Sequence, residues 1–419
     1  MIIKITRTGQ VTQVQPQVVR IVRVYDHPVP AGILETAYTQ KGGVLAGTGP
    51  GTYAEHAPGS SGQYLSSDPS SPTGLIWTTP SIAITDATNF LLNGGFDFAQ
   101  RTTPGTLTSV SDNAYGADRW KQTRENADLQ YQRNDATSET GLTSRYYGKY
   151  KKITNAGKFM VFQILEGQHT VPLRGKTVIF QVKMKASTAK TIRMAILELQ
   201  SGGTMDTIPG TFVSAWNVDG TDPTLGANLA IITGAESKAV TTSWQNFTVS
   251  VTVPSTSKNL ICAVWANADF SAADELNLAE AGLFLGASQL SWTPRNIALE
   301  RTLCSRYYYK TFPLDTAPAQ NAGVAGAHRV PAPRAGAAVE FTSLRLPVPL
   351  RTTPASVTFY NPSAANAQMR DSSAGADCTL TALSASGNSA ELITFQATGN
   401  AATVVGNALD VHLSADVDL

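Results

Sequence analysis

The sequence has little charge and no basic excess. Asp, Glu, Lys and Arg make up 15% of the 419 residues, whereas about a quarter is usual for soluble proteins. The 32 basic residues are almost balanced by 31 acidic ones, so the net charge is +1. Because binding to a nucleic-acid backbone needs a clustered basic surface, we expect no nucleic-acid partner.

Cysteine and long apolar runs are also scarce. The three cysteines, Cys262, Cys304 and Cys378, are far apart, so they indicate neither a disulfide framework nor a metal site. No apolar run reaches the length of a membrane-spanning helix, and the apolar stretch in residues 1–7 is too short for a signal peptide. We therefore expect a chain that folds in a reducing compartment and does not insert into a membrane.

Patterns for catalysis and for cofactor binding are lacking. The five histidines show no HExxH motif, and neither a GxSxG elbow nor a phosphate-binding GxxxxGK[ST] loop occurs. A carboxylate pair of a polysaccharide-cleaving enzyme is an alternative, with Asp118, Glu125, Glu139 and Glu166 as candidates. Since Asp118 beside Arg119 is typical of an ion pair at a surface or sheet edge, we predict no catalytic residues, no catalytic metal and no cofactor.

Turn-forming and β-branched residues are abundant. The 34 glycines and 22 prolines separate segments rich in Thr, Val and Ser, which favours short strands. We predict an all-β fold, an antiparallel β-sandwich or jelly roll with a β-rich C-terminal tip, an extended Gly-rich N-terminal shaft and one short helix. The predicted regions are a docking segment (1–30), the shaft (31–88), the jelly roll (89–296), and the helix with the tip (297–419).

The N-terminal segment contains one strongly apolar strand. Its β-branched residues are Val18, Val19, Ile21, Val22 and Val24. A lone apolar strand needs a partner strand in water. We predict that these five residues dock onto another protein or pair with copies of the same chain. Packing on the core of the same chain is the alternative.

The shaft region has few large apolar residues. Leu45, Tyr53, Leu65 and Trp77 are separated by turn residues, and one such chain buries too little apolar area to offset its ordering entropy. We therefore predict that three copies of the shaft intertwine and place these four side chains at a shared axis.

The shaft also carries a pattern of ten residues with a defined order and spacing: Gly47, Thr48, Gly49, Gly51, Thr52, Tyr53, Gly62, Gln63, Leu65 and Asp68. In this pattern, residues 42–77 resemble the linker repeat of bacteriophage fibre proteins. The resemblance implies a homotrimeric fibre.

The third region shows the alternation of a two-layered β fold. Val178, Phe180, Val182 and Met184 share one face of a strand, as in a half-buried strand. Residues 159–165 are apolar on both faces, which predicts a buried strand. With turn signals between them, these segments are typical of a two-sheet sandwich or jelly roll.

Several motifs of this region follow one another in order: 92–101 (LNGGFDFAQR), 117–120 (ADRW), 162–167 (FQILEG), 173–177 (LRGKT), 292–295 (WTPR) and 304–309 (CSRYYY). In this order they resemble the carbohydrate-binding-module-like jelly roll found in many phage virion proteins. The resemblance implies a fold that binds a glycan or is reused as a spacer.

Aromatic side chains are the candidates for binding a sugar. Sugar rings stack on aromatic faces, while neighbouring polar groups fix their orientation. Trp216 lies in a Gly- and Asp-rich loop, and Tyr146, Tyr147 and Tyr150 share a strand with several lysines. We predict these four residues as the glycan-binding set. The basic strand suits an acidic glycan and a neighbouring subunit equally well.

Other residues of the region have structural interpretations. Trp120, Trp244 and Trp265 are predicted to be core residues, because they lie in apolar strands or in the opening motif of the jelly roll. Asp219 and Asp222 lie close together in one loop and are candidates for a structural calcium ion.

The last region begins with a helix and continues with strands. Asn296 is a suitable N-cap for a helix over residues 297–308, with Ile297 and Leu299 in an apolar stripe and Glu300 on the polar side. Residues 409–419 alternate as a strand to the last residue. Residues 347–359 resemble part of the small β-tip that follows the jelly roll in phage fibres.

Together these resemblances imply a structural protein of a tailed-phage virion. The implied protein is a homotrimer that is assembled in the host cytoplasm and lies on the virion surface. Its N-terminus attaches to another virion protein, and its β domains bind a host-surface glycan without cleaving it. A capsid-attached head fibre or decoration protein is the first alternative, and a polysaccharide-degrading spike enzyme is the second.

Overall fold

The computed structural model describes residues 39–78, 88–126, 128–336, 339–382 and 388–419. Contacts divide the chain into two units, Met1–Asp86 and Ala87–Leu419. The five residues predicted to dock onto a virion protein lie outside the described part of the chain: Val18, Val19, Ile21, Val22 and Val24.

The N-terminal unit contains, in its described part, two antiparallel hairpins. Between residues 39 and 78, Ala46 is the one hydrophobic side chain that is buried. Trp77 is half-buried, and its indole N–H donates to the carbonyl oxygen of Ala57 at 2.6 Å. The strands are β1 (Val44–Gly49), β2 (Thr52–His56), β3 (Tyr64–Ser67) and β4 (Leu75–Thr78).

The second unit begins with a sandwich of two antiparallel sheets, as predicted. Its strands are β5 (Thr108–Ser109), β6 (Ala114–Tyr115), β7 (Lys121–Arg124), β8 (Leu129–Asp135), β9 (Tyr146–Lys152), β10 (Phe159–Ile164), β11 (Thr177–Ala186), β12 (Lys190–Leu199), β13 (Val213–Ala215), β14 (Thr224–Leu225), β15 (Leu229–Ile231), β16 (Glu236–Val240), β17 (Gln245–Thr252), β18 (Asn259–Ala266) and β19 (Glu275–Leu285). A one-turn helix, α1 (Gly167–Thr170), follows β10.

The two sheets differ in what covers them, and we name them accordingly. The covered sheet has the strand order β15-β12-β18-β10-β7-β6, with β16 also pairing with β12. The open sheet has the order β17-β11-β19-β9-β8-β5. A short hairpin of β13 and β14 stands outside both.

The core between the sheets follows the predicted alternation. Val178, Phe180, Val182 and Met184 are completely buried, and every residue of β10 is buried. Burial of apolar side chains at every second position of facing strands is the main stabilising term of such a sandwich.

The predictions for the tryptophans hold in two cases of three. Trp120 and Trp265 are buried core residues. Trp244 is only half-buried, so the core prediction for it is wrong. The residue comes just before β17 begins, where its ring covers an outer edge of the open sheet instead of entering the core.

The remainder of the second unit is a helix and a β-rich tip with a core of its own. Its central strand is β27, which pairs with β20, β21, β23 and β24. The elements are α2 (Ile297–Ser305), β20 (Tyr308–Lys310), β21 (His328–Pro331), β22 (Val339–Arg345), β23 (Val357–Tyr360), β24 (Met369–Asp371), β25 (Ala376–Ala382), β26 (Leu392–Thr398) and β27 (Ala408–Asp416). Among the described residues, no helix is long and apolar enough to cross a membrane.

Helix α2 begins as predicted, but Ile297, Leu299 and Glu300 do not lie on the predicted sides. The Asn296 side chain accepts hydrogen bonds from the amides of Ala298 (3.0 Å) and Leu299 (3.4 Å), which confirms the N-cap. Ile297 and Leu299 are 55% and 49% exposed, whereas Glu300 is buried.

Glu300 is buried because it has hydrogen-bond partners in the interior, one of them distant in the sequence. The Glu300 carboxylate accepts from the Asn93 amide at 2.5 Å and from the Arg295 guanidinium at 2.6 Å. Asn93 has a left-handed backbone (φ 52°) at the turn that opens the sandwich. A buried amide needs an acceptor, and the helix supplies it.

Asp118 and Arg119 are also placed differently from the prediction. Both side chains are buried rather than at a surface. Asp118 accepts from the amide (2.9 Å) and the side chain (2.7 Å) of Gln100. Arg119 pairs with Asp418, beyond the last strand of the tip.

Candidate functional site

The two sheets of the sandwich present very different outer faces. On the covered sheet, apolar side chains point outward and are packed under residues 200–235. Phe212 stacks on Phe162 there, with ring centroids 3.8 Å apart. On the open sheet, β11 turns Gln181, Lys183 and Lys185 to the outside. The open face, defined as the outer face of the open sheet, is therefore the candidate functional surface.

A cleft of about 250 Å³ lies on this open face. Its floor is formed by β11, β17 and β19, and its walls by the segments that precede β9 and follow β19. The side chains that matter for its chemistry are Thr143, Lys183, Asn246, Glu280 and Trp292.

A β-bulge places the central carboxylate of the cleft. The pairing of β11 with β19 shifts between Gln181 and Lys183, and Glu280 has a left-handed φ of 51°. A bulge inserts one extra residue and redirects a side chain. Here it directs Glu280 toward Lys183, whose ammonium lies 2.8 Å from the carboxylate.

Glu280 also holds the wall of the cleft. Its carboxylate accepts from the Thr143 hydroxyl at 2.9 Å, from the Ser144 amide at 3.0 Å and from the Thr143 amide. Burial raises the pKa of the Glu280 carboxyl, but the hydrogen bonds from Lys183, Thr143 and Ser144 outweigh burial and hold it below its ordinary value. Glu280 is therefore ionised at neutral pH.

An aromatic corner lies next to the cleft. Trp244 and Tyr147 meet edge to face, with ring centroids 5.4 Å apart. Glu139 fixes this corner because it accepts from the Trp244 indole N–H at 2.8 Å and from the Lys185 ammonium at 2.6 Å. The same ammonium lies 5.1 Å from the centroid of the Trp244 ring, within reach of a cation–π contact.

Burial and the same contacts set the pKa values of Glu139 and Tyr147 in this corner. Burial and then the charge of Glu139 raise the pKa of Tyr147 to about 12. Burial raises the pKa of the Glu139 carboxyl, but hydrogen bonds from Lys185 and Trp244 outweigh it and bring it below its ordinary value. At neutral pH the corner therefore has an ionised Glu139 carboxylate and a neutral Tyr147 phenol.

The open face continues onto β9 with two further lysines. Lys149 and Lys151 both pair with Glu275, at 3.2 Å and 3.0 Å. Lys152 points the other way and is buried, with its ammonium 2.6 Å from Asp128. The lysines of β9 are thus ion-paired.

The four aromatic residues predicted to bind glycan are not brought together. Tyr147 lies on the open face but is only 8% exposed, whereas Tyr150 is completely buried beside Tyr131. Tyr150 therefore has no free face for a sugar, and that prediction is wrong. Neighbouring strand residues point to opposite faces, and Tyr150 is on the inner one.

Tyr146 and Trp216 lie elsewhere. The Arg133 guanidinium covers Tyr146 at 4.6 Å from its ring centroid. Trp216 is half-buried against the apolar cluster on the covered sheet. Neither lines the cleft.

The two residues considered for calcium are each engaged by a cation. Asp219 pairs with Lys158 at 2.8 Å, and Asp222 pairs with Arg193 at 2.6 Å. In the described part of the chain, no group of three or more metal-ligating side chains is found.

Sequence reasoning missed Glu280, Trp292 and Trp244 as parts of the site. The alternation of β11 already placed Lys183 and Lys185 on its outer face. The bulge at Glu280 and the pairing of the segment around Thr143 depend on contacts with residues more than a hundred positions away, which no local pattern contains.

No protein-family model matches the sequence, and no curated protein matches it. Solved structures that are similar include the carbohydrate-binding module TmCBM61 in complex with β-1,4-galactotriose (11% identity, 48% of this chain and 100% of that chain, TM-score 0.29). Another is the enzymatically active domain of bacteriophage CBA120 tailspike protein 4 (10% identity, 47% of this chain and 21% of that chain, TM-score 0.29). A third is the CBM22-1 xylan-binding domain of Paenibacillus barcinonensis Xyn10C (11% identity, 48% of this chain and 97% of that chain, TM-score 0.27).

Proposed function

We propose that this protein is a glycan-binding fibre protein of a tailed bacteriophage and that it binds its glycan in the cleft of the open face without cleaving it. The observation that carries the binding site is the juxtaposition of Trp292, the aromatic corner and the Lys183–Glu280 pair on the open face. Sugars need such a combination, because their C–H faces stack on aromatic rings and their hydroxyls pair with polar groups.

The carboxylates of the open face support binding rather than hydrolysis. A glycosidase needs one carboxyl that stays protonated near neutral pH, and its pKa must therefore be raised. The carboxyls of Glu139 and Glu280 both have a pKa below the ordinary value. Burial and then the charge of Glu300 raise the pKa of Asp97, but Asp97 does not line the cleft.

A glycan array with the full chain tests the binding site. We expect Trp244→Ala and Trp292→Ala to weaken binding at least about fivefold, as removal of a central aromatic contact does. Trp216→Ala is the matched control, because Trp216 is a half-buried tryptophan on the other sheet. Equal binding by all three variants would show that the glycan binds elsewhere, and release of reducing sugar from a bound polysaccharide would show an enzyme.

The N-terminal hairpins support the fibre part of the proposal. A chain that buries few apolar side chains gains little free energy to offset its ordering entropy, and in residues 39–78 Ala46 is the one hydrophobic side chain that is buried. No cysteine occurs in residues 1–86. Residues 39–78 expose three large apolar side chains, Tyr53, Tyr64 and Ile76, at 43%, 50% and 43%. Packing against identical copies would cover these side chains.

The predicted axis residues divide into two groups. Leu65 and Trp77 are direct cross-strand partners within one chain, and the Trp77 ring stacks on His56 with centroids 6.2 Å apart. Tyr53 is exposed, and Leu45 is half-buried. We therefore assign the contacts between copies to Tyr53, Leu45 and the exposed pair Tyr64 and Ile76.

The molecular mass of the full chain in solution tests this assignment. We expect a trimer for the native sequence and a smaller species for the combined variant Tyr53→Ser, Tyr64→Ser and Ile76→Ser. Val218→Ser is the control, because Val218 is 76% exposed in the second unit. A native monomer would contradict the trimer. Labelling of the C-terminus on phage particles tests attachment to the tail, and a label around the head would favour a head fibre.

A further inference from the structure

Ion pairs neutralise the charges at the cleft and at its aromatic corner. Each of the two lysines at the cleft and its aromatic corner is paired with a glutamate, Lys183 with Glu280 at 2.8 Å and Lys185 with Glu139 at 2.6 Å. The Lys183, Lys185 and Glu139 side chains are 24%, 19% and 22% exposed and are accessible to a ligand, whereas the Glu280 side chain is 3% exposed. These two pairs therefore offer charged hydrogen-bonding groups without a net charge.

We propose that the cleft selects an uncharged glycan and discriminates against glycans that carry carboxylate or sulfate groups. The proposal rests on the proposed function of the open face as a glycan site. It also names the class of ligand. The sequence alone leaves that class open, because the lysine-rich strand β9 suits an acidic glycan as well.

A neutral sugar fits an ion pair better than an anion does. A hydroxyl group is both donor and acceptor, so adjacent sugar hydroxyls can donate to the exposed Glu139 and accept from Lys185 or Lys183. The pair stays intact while the sugar binds, and neither charge has to lose its partner. Hydrogen bonds to charged groups are also stronger than those between neutral groups.

An acidic sugar meets an obstacle at both pairs. Its carboxylate would have to displace Glu280 from Lys183 or Glu139 from Lys185 and would then lie beside the displaced carboxylate. Both glutamates remain ionised at neutral pH, because the lysine contacts hold the pKa of each below its ordinary value. Like charges placed side by side disfavour a partner and are a source of specificity.

The Glu280 pair cannot rearrange easily. Glu280 is 2% exposed and also holds Thr143 and Ser144 of the cleft wall. Lys183 is itself held at a second point, since its ammonium donates to the Gly141 carbonyl at 2.5 Å. Lys183 is therefore not available to an incoming anion, because Glu280 and the Gly141 carbonyl oxygen hold its ammonium group in place.

The test compares matched neutral and acidic ligands on the full chain. A panel of neutral oligosaccharides is measured by calorimetry beside the same oligosaccharides with their primary hydroxyls oxidised to carboxylates. We expect the neutral member of each bound pair to bind about tenfold more tightly. We also expect its affinity to be unchanged between about 20 mM and about 300 mM salt, because screening acts on net charge.

A single substitution should change this preference. Glu139→Gln frees Lys185 while keeping the size of the side chain, and Glu139 is 22% exposed, so the fold should tolerate the change. We expect the variant to gain affinity for the oxidised oligosaccharide and to become salt-dependent. Glu236→Gln is the matched control, because it breaks a similar pair with Lys238 at 2.6 Å on the covered sheet.

The outcomes separate the two proposals. Tighter binding of the oxidised oligosaccharides by the native chain would overturn the selection of neutral glycans and leave the glycan site in place. An unchanged preference in Glu139→Gln would also overturn it. Failure of the whole panel to bind would instead contradict the proposed function.

Discussion

Arg119 and Asp418 form a buried ion pair that joins the sandwich to the end of the tip. Both side chains are 2% exposed. The Arg119 guanidinium also lies over the Tyr307 ring, 3.6 Å from its centroid, and Asp418 also accepts from Arg101 at 2.7 Å. The segment that follows β27 is therefore attached to the sandwich by a buried ion pair.

Asp418→Asn should destabilise this junction strongly. Removing one partner of a buried pair leaves uncompensated charge and costs about 3–5 kcal/mol, and here Arg119 loses its carboxylate partner. Urea unfolding followed by tryptophan fluorescence measures the loss. Asp416→Asn is the control, since Asp416 is 50% exposed beside the same Arg101 and should cost at most about 1 kcal/mol. Similar losses in both variants would mean that burial of the pair does not matter.

His412 should make the stability fall as the pH drops below about 6.5, the ordinary pKa of histidine. The ring is buried, and it stacks on Phe312 with centroids 3.9 Å apart. Its nitrogens lie 3.0 Å from the Thr311 hydroxyl and 3.0 Å from the Gly323 carbonyl oxygen. Burial lowers the pKa of His412, although the Gly323 contact and the charge of Asp410 act in the opposite direction.

The direction of this pH dependence follows from a comparison with the unfolded state. Unfolded histidine binds a proton below about pH 6.5, while the folded protein resists protonation of His412. Stability is therefore present above this value and is lost as the pH falls toward the lower folded pKa. We expect the thermal midpoint to fall between pH 7.5 and pH 5, and by less in His412→Gln. An equal fall in both proteins would assign the effect to other groups.

Gly148→Ala should destabilise the sandwich by about 1–3 kcal/mol, as overpacking does. A Cβ atom at this position would lie 2.7 Å from Phe96 and 3.2 Å from Tyr131, both of which are core side chains. Gly210→Ala is the matched control, because a Cβ there meets no atom within 4 Å and should change stability by less than about 0.5 kcal/mol. Chemical unfolding compares the two, and equal stabilities would show that the core can expand around β9.

Asn296→Ala should cost about 1 kcal/mol, because the N-cap accepts from two helix amides. Thr302→Ala, within the same helix, removes only a hydrogen bond to the Ala298 carbonyl oxygen and should be neutral or slightly stabilising. Circular dichroism during unfolding measures both. A smaller loss for Asn296→Ala than for Thr302→Ala would contradict the capping role.

Local sequence patterns predicted those parts of the fold that depend on local geometry. The period of two identified the core side of β11, since successive side chains of a strand point to opposite faces. Asn296 marked the start of α2, because an N-cap acts within one turn. Glu300 shows the limit of such patterns. The amphipathic pattern assigned it to a polar surface. In the structure it is buried, because it accepts a hydrogen bond from the Asn93 amide about two hundred positions earlier.

The candidate site could be predicted only in part for the same reason. The period of two places Tyr147 and Tyr150 on opposite faces of β9, but it does not tell which face is inside, because both faces carry aromatic residues. The outward lysines of β11 were visible, whereas their glutamate partners come from β19 and from a loop before β9.

By itself, the sequence determined the all-β character, the positions of many strands and the scarcity of core residues in the N-terminal hairpins, because each follows from composition and from contacts within a few residues. Only the tertiary structure decided that residues 200–235 cover one sheet and leave the other open, that a bulge turns Glu280 toward Lys183, and that Asp418 returns to Arg119. These features depend on strands and loops that are distant in sequence and meet only when the sheets pack, and the energy of a buried charge is set by the partner it meets there.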